Sequence, residues 1–145
     1  MIGKEVKEVG PVTLSEVYDI MKKRLKDAEK QREEDKKAGI AHTITIKPES
    51  EDAEPIVEEK PLMGLEQRGT LDYSKKFAHL SKKKSSEMMD ELMKIGKMKP
   101  EVAVKVVDLL SDNKDRLKLL FSKEHVAVTE KDLDEVVKIV EKYKK

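Results

Sequence analysis

The chain of 145 residues contains no cysteine, which excludes disulfides, thiolate metal sites and thiol catalysis. Aromatic residues make up only 3%, so any core must be assembled from Leu, Val, Ile and Met. That material suffices for a small helical core but not for a rich one. Neither sign of charge is in excess: 31 Lys and Arg stand against 30 Asp and Glu, a net of +1. Such a balance argues against holding nucleic acid by bulk charge, and leaves that task to local runs such as Lys82–Lys84. No stretch approaches the roughly 20 apolar residues of a membrane helix. The start, MIGKEVKEVG, lacks the apolar centre of a signal peptide. A cytoplasmic protein with no membrane partner is expected. The six glycines are scattered and form neither a Walker-type nor a dinucleotide-binding loop.

What is present is helical periodicity. In KPEVAVKVVDLLS (Lys99–Ser111), Pro100 suits the first turn of a helix. Val102, Val106, Leu109 and Leu110 then recur as an apolar stripe. Thr13 with Glu16 matches a capping box for a helix carrying Leu14, Val17, Tyr18, Met21 and Leu25 on one side. Beyond Leu25 the stripe stops, so the continuation to Gly39 is expected to be a solvated helix. Ala41–Lys47 alternates like a short strand, and Pro48–Pro61 reads as an acidic loop or disordered insert. From Thr70 onward, Leu71, Phe77 and Leu80 mark one helix. Met88, Met89, Leu92, Met93 and Ile95 mark the next, and Leu117, Leu120 and Phe121 a shorter one. Thr129 with Asp132 caps a last helix bearing Leu133, Val136, Val137, Val140 and Tyr143. The short connections imply a packed bundle.

The fold class expected is therefore mainly α, with a short N-terminal strand and capped helix, a variable insertion and a C-terminal helical bundle. The corresponding boundaries are 1–38, 39–69 (partly disordered) and 70–145. Candidate chemistry is sparse. His42, His79 and His125 lie far apart without metal-ligand spacing. Glu49, Glu51, Asp52 and Glu54 sit in a segment offering no rigid cleft for acid–base work. Ser85-Ser86 reads as a helix cap, and the methionines as core filling. No catalytic, metal or cofactor residue is assigned. The segment holding Val6, Val9 and Val12 is too short to build its own sheet, so it is expected to borrow a partner's edge. Partner-binding candidates are Val6, Val9, Val12, Leu14, Val17, Tyr18 and Met21. Nucleic-acid candidates are Lys82, Lys83 and Lys84.

MIGKEV at the start, VTLSEV at Val12–Val17, LDYSKKFAHLS at Leu71–Ser81 and KPEVAVKVVDLL at Lys99–Leu110 together resemble a family of archaeal RNA polymerase subunits. That family is the counterpart of the fourth-largest subunit of eukaryotic RNA polymerase II. The likeness covers Met1–Leu25 and Thr70–Tyr143. Members of the family are shorter, so Lys26–Gly69 stands as an insertion. They often follow DLL with proline, where this chain has Ser111, a residue able to cap the next helix.

The resemblance implies a C-terminal domain similar to the helicase-and-RNase-D C-terminal (HRDC) fold. It also implies a non-catalytic subunit within a DNA-directed RNA polymerase. Its partner would be the archaeal counterpart of the eukaryotic enzyme's seventh subunit, the two forming a heterodimeric stalk on the polymerase core. Support of initiation, elongation and termination would follow, with nascent RNA met mainly through the partner. The alternative is a free-standing HRDC-like nucleic-acid-binding module, recognisable by salt-dependent binding of the isolated chain.

Overall fold

Thr13 opens the first helix, α1 (Leu14–Lys37), its hydroxyl accepting the Glu16 N–H at 3.3 Å. At 1.5 Å per residue its 24 residues extend about 36 Å. The helix ends as expected at Gly39, whose φ of +77° lies in the left-handed region that glycine enters freely. The structure, a computed structural model, describes residues 9–145. The expected N-terminal strand falls largely outside that range, and Val9–Val12 take no regular form.

After Gly39 come β1 (Thr43–Ile46) and β2 (Ile56–Glu59), paired antiparallel with Thr43 opposite Glu59 and Ile46 opposite Ile56. The expected loop is kept over residues 47–55, where it joins the two strands of a hairpin, and gives way to β2 at Ile56–Glu59. IVEE is too short to show a strand period alone, and Ile56–Glu59 acquires its form from the ladder with β1. Pro48 and Pro55 flank the strands rather than interrupt them. The base of the hairpin is clasped to the far end of α1. Arg32 donates to the Lys60 carbonyl, Arg32 and Lys36 lie 3.6 and 3.4 Å from Glu59, and His42 Nε2 is 2.6 Å from Asp35. Gln31 and His42 together hold the Asp35 carboxyl below its ordinary range.

The chain then returns along α1 as α2 (Leu65–Phe77). Leu14 shares one cavity with Tyr73 and Phe77, and Leu25 another with Arg68 and Leu71, so the two helices run antiparallel. α2 begins five residues before the expected Thr70, with Gly64 at its N-cap and Gly69 carried inside the helix. Leu80 follows α2 instead of belonging to it, and packs against the core from the connection.

Ser81, not Ser85-Ser86, caps α3 (Lys82–Met93) by accepting the Lys84 N–H. Ser85 lies inside that helix, buried, donating to Ser15 Oγ at 2.8 Å. Ser15 in turn donates to the Leu80 carbonyl at 2.7 Å. This chain of hydroxyls satisfies buried polar groups and fixes α1 on α3. Of the three methionines, Met88 is fully buried, Met89 partly so, and Met93 exposed.

α4 (Pro100–Leu109) turns Val102, Ala103, Val106 and Val107 inward. Leu110 adopts a left-handed conformation, φ 48°, disfavoured for a side-chain-bearing residue, and its burial in the core holds it there. Leu109 is consequently turned out, 62% exposed, rather than completing the stripe. Asn113, not Ser111, caps α5 (Lys114–Lys123), accepting from Asp115 and Arg116. α6 (Glu130–Lys144) opens on the expected Thr129/Asp132 capping box. Its Leu133, Val136 and Val140 close the core against Leu117, Phe121, Met88 and Leu92.

A candidate partner-binding groove

The start of α1 is held in place from the far end of the chain. Leu14 N–H, one of the helix's unpaired first-turn donors, donates to Asp108 Oδ1 of α4 at 2.8 Å. Burial pushes the Asp108 carboxyl above its ordinary 3.8, against the lowering pull of the Leu14 bond and of His79. A carboxyl whose folded pKa is raised contributes stability that is full below its unfolded value and is lost as pH rises through the folded one. Asp108→Asn keeps an oxygen for Leu14 and removes the desolvated charge. It should match or exceed the wild type in thermal stability at neutral pH, with the difference shrinking as pH falls below the ordinary range. Asp108→Leu strands the N–H and should cost about 1–3 kcal/mol. Thermal unfolding of the three proteins across pH checks this.

With Leu14 so anchored, α1, α2 and α4 converge on a groove of about 440 Å³ lined by Leu14, Tyr73, Phe77, His79, Lys105, Asp108 and Leu109. Tyr73 and Phe77 lie one helical turn apart with ring centroids 4.6 Å apart. They are 57% and 41% exposed. Val12, 44% exposed, precedes Leu14 by two residues. Scattered apolar surface residues mean little, but several large ones gathered around one concavity make it a candidate contact surface.

The residues expected to bind a partner divide accordingly. Val6 lies outside the described residues. Val9 and Val12 are exposed, and Leu14 lines the groove. Val17 and Tyr18 are half-buried, the ring of Tyr18 lying 4.6 Å under the Lys22 ammonium. Met21, 5% exposed, is already buried within this chain, whose α1 packs against α2 and α3. Nothing in the sequence alone singles out Tyr73, Phe77, Leu109 and Asp108 as contact residues. Helical spacing marks apolar positions without saying which of them a short bundle leaves uncovered.

Lys82, Lys83 and Lys84 occupy the first turn of α3, all exposed. Lys82 lies 3.5 Å from Asp19, whose carboxyl Lys23 chiefly holds below its ordinary range. Three cations oppose the dipole at a helix start, so an anion near them would be stabilised. From Tyr73 to Ser86 the chain holds five lysines and no carboxylate. Among the described residues no group of three or more His, Asp or Glu is placed to hold a metal ion, and no helix is long and apolar enough to cross a membrane.

Comparison with known proteins identifies the frame for this geometry. The chain is similar to the DNA-directed RNA polymerase subunit Rpo4 of Methanocaldococcus jannaschii, 32% identical over 81 residues, or 56% of this chain and 67% of that protein. The family described as RNA polymerase Rpb4 matches residues 11–144, from the approach to α1 through the hairpin to the end of α6. This is the family that the sequence resembled at its two ends, and the match now spans both. The chain belongs to the RNA polymerase Rpb4 family.

Proposed function

We propose that this chain, as an RNA polymerase subunit of the Rpb4 family, forms the stalk of the polymerase with the counterpart of the eukaryotic enzyme's seventh subunit, here called the stalk partner. In that assembly it acts without catalysis of its own and supports initiation, elongation and termination. The observation that carries the pairing is the groove, in which Leu14, Tyr73, Phe77 and Leu109 converge beside the approach to α1. A partner seated there would cover apolar surface that the described helices leave open. Residues Val9 and Val12 would add an extended edge to the same contact. The half of α1 beyond Leu25 and the hairpin stand apart from it. Co-expression with the stalk partner and size-exclusion chromatography test the pairing. One co-eluting 1:1 species is expected, and two separate monomers would overturn it.

The lysine-rich stretch from Tyr73 to Ser86 favours a second reading, direct binding of nucleic acid by the isolated chain. Phosphate contacts release counterions, so such binding would weaken steeply with salt. It would also vanish in a Lys82, Lys83 and Lys84 triple alanine variant.

A further inference from the structure

The β1–β2 hairpin is the part of the molecule least explained by its own packing. Two strands of four residues form a sheet of two strands, and among the described residues no third strand joins it. An isolated two-stranded ribbon is marginal in water. Ile44, Ile46 and Ile56, which share a face with Glu58, are 39%, 42% and 55% exposed, and Val57 on the opposite face is 61% exposed. The ribbon is nevertheless held firmly at its base, by the Arg32, Lys36 and His42 clasp at the end of the α1–α2 pair.

The two edges differ. Lys60 N–H donates to the His42 carbonyl at 2.9 Å. The alternation of an antiparallel ladder then puts Ile44–Glu58 and Ile46–Ile56 in the bonded pairs, and turns the N–H and C=O of Thr43 and Thr45 outward. Exposed edges are ordinarily defended by charge, proline or a bulge. β2 carries Glu58 and Glu59, whereas β1, TITI, carries none of these. Among the described residues nothing covers the β1 edge.

Charge specifies what fits. The tip holds Glu49, Glu51, Asp52 and Glu54 against the single Lys47. Arg32 and Lys36 at the base are engaged by Glu59, while the tip carboxylates and Glu58 have no ion-pair partner among the described residues. Such a surface repels nucleic acid and attracts a cationic chain.

We propose that the β1 edge of the hairpin is a docking site for an extended, lysine- or arginine-bearing segment of another subunit of the assembled polymerase, added as a third strand. This rests on the chain being a polymerase subunit, and it concerns a surface separate from the groove.

Backbone hydrogen exchange, read residue by residue for the free chain and for the chain within purified polymerase, tests it. The outward amides of Thr43 and Thr45 should exchange at least about tenfold more slowly on assembly. Thr45→Pro removes one outward donor without touching the hairpin's own ladder, and should abolish the protection at Thr43. Val57→Pro, on the other edge, should leave it intact. A photoreactive residue in place of Thr45 should cross-link to a basic segment of another subunit. Unchanged exchange at Thr43 and Thr45, protection arising in the free chain as its concentration is raised, or a cross-link to nucleic acid would each overturn the proposal. Failure of the chain to enter polymerase would overturn both this and the proposed function. Entry without protection would overturn this alone.

Discussion

Phe77→Asp combined with Leu109→Asp is expected to abolish pairing with the stalk partner while leaving the helical fold intact. Both side chains are substantially exposed in the free chain, 41% and 62%, so a carboxylate at either position remains hydrated. In the complex each would be driven into a desolvated apolar contact. Loss of an anchoring residue at such a site costs about 2 kcal/mol or more, roughly thirtyfold in affinity. Two anchors with little coupling would give on the order of a thousandfold. Calorimetric titration against the stalk partner measures it, with far-ultraviolet circular dichroism verifying the fold. The Lys82, Lys83 and Lys84 triple alanine variant serves as the contrast and should pair like wild type. Equal affinity of the double variant and wild type would place the contact elsewhere. Met21→Asp is not a usable probe of the same surface, because Met21 is buried by this chain and a carboxylate there would destabilise the fold itself.

The largest effect on stability is expected at Phe121. Its ring is 1% exposed and lies in the cluster with Leu117, Met88, Leu92, Leu133 and Val136. With aromatics so scarce in this chain, the surrounding Leu, Val and Met side chains have no large neighbour to move into the gap. Phe121→Ala should cost about 3–5 kcal/mol, the transfer of the ring plus the cavity left behind. Against a total stability of about 5–15 kcal/mol for a domain, that is a major fraction. Chemical denaturation should show the midpoint falling sharply with the slope little changed. Leu119→Ala, at a position 57% exposed only two residues away, should change little.

The helices were legible because each carries its own period. Val102 and Val106, Leu133, Val136 and Val140, and the Thr129 cap with Asp132 are local patterns, and the structure realises them. What escaped depends on residues distant in sequence. Ser85 appears as a cap until Ser15, 70 positions away, supplies the acceptor for its hydroxyl. Asp108 reads as an inert polar residue until Leu14, 94 positions away, donates to it. β2 exists through its pairing with β1, and four residues are too few to show alternation alone. Leu109 and Leu110 are equivalent as apolar residues. The left-handed turn at Leu110 decides that one is buried and the other faces the groove. The family resemblance rested on the two ends of the chain, whereas the family match runs through the insertion between them.

The salt dependence of pairing tests the central claim most directly. Between about 0.1 and 1 M salt the screening length falls from about 10 to 3 Å. Contacts made by lysines are lost over that range, whereas burial of Leu14, Tyr73, Phe77 and Leu109 is not. Titration of the full chain against the stalk partner at both ends of this range should give affinities within a few-fold of one another, with any affinity for single-stranded RNA lost at the upper end. A fall in affinity for the stalk partner by orders of magnitude, parallel to that for RNA, would contradict an apolar groove as the seat of the pairing.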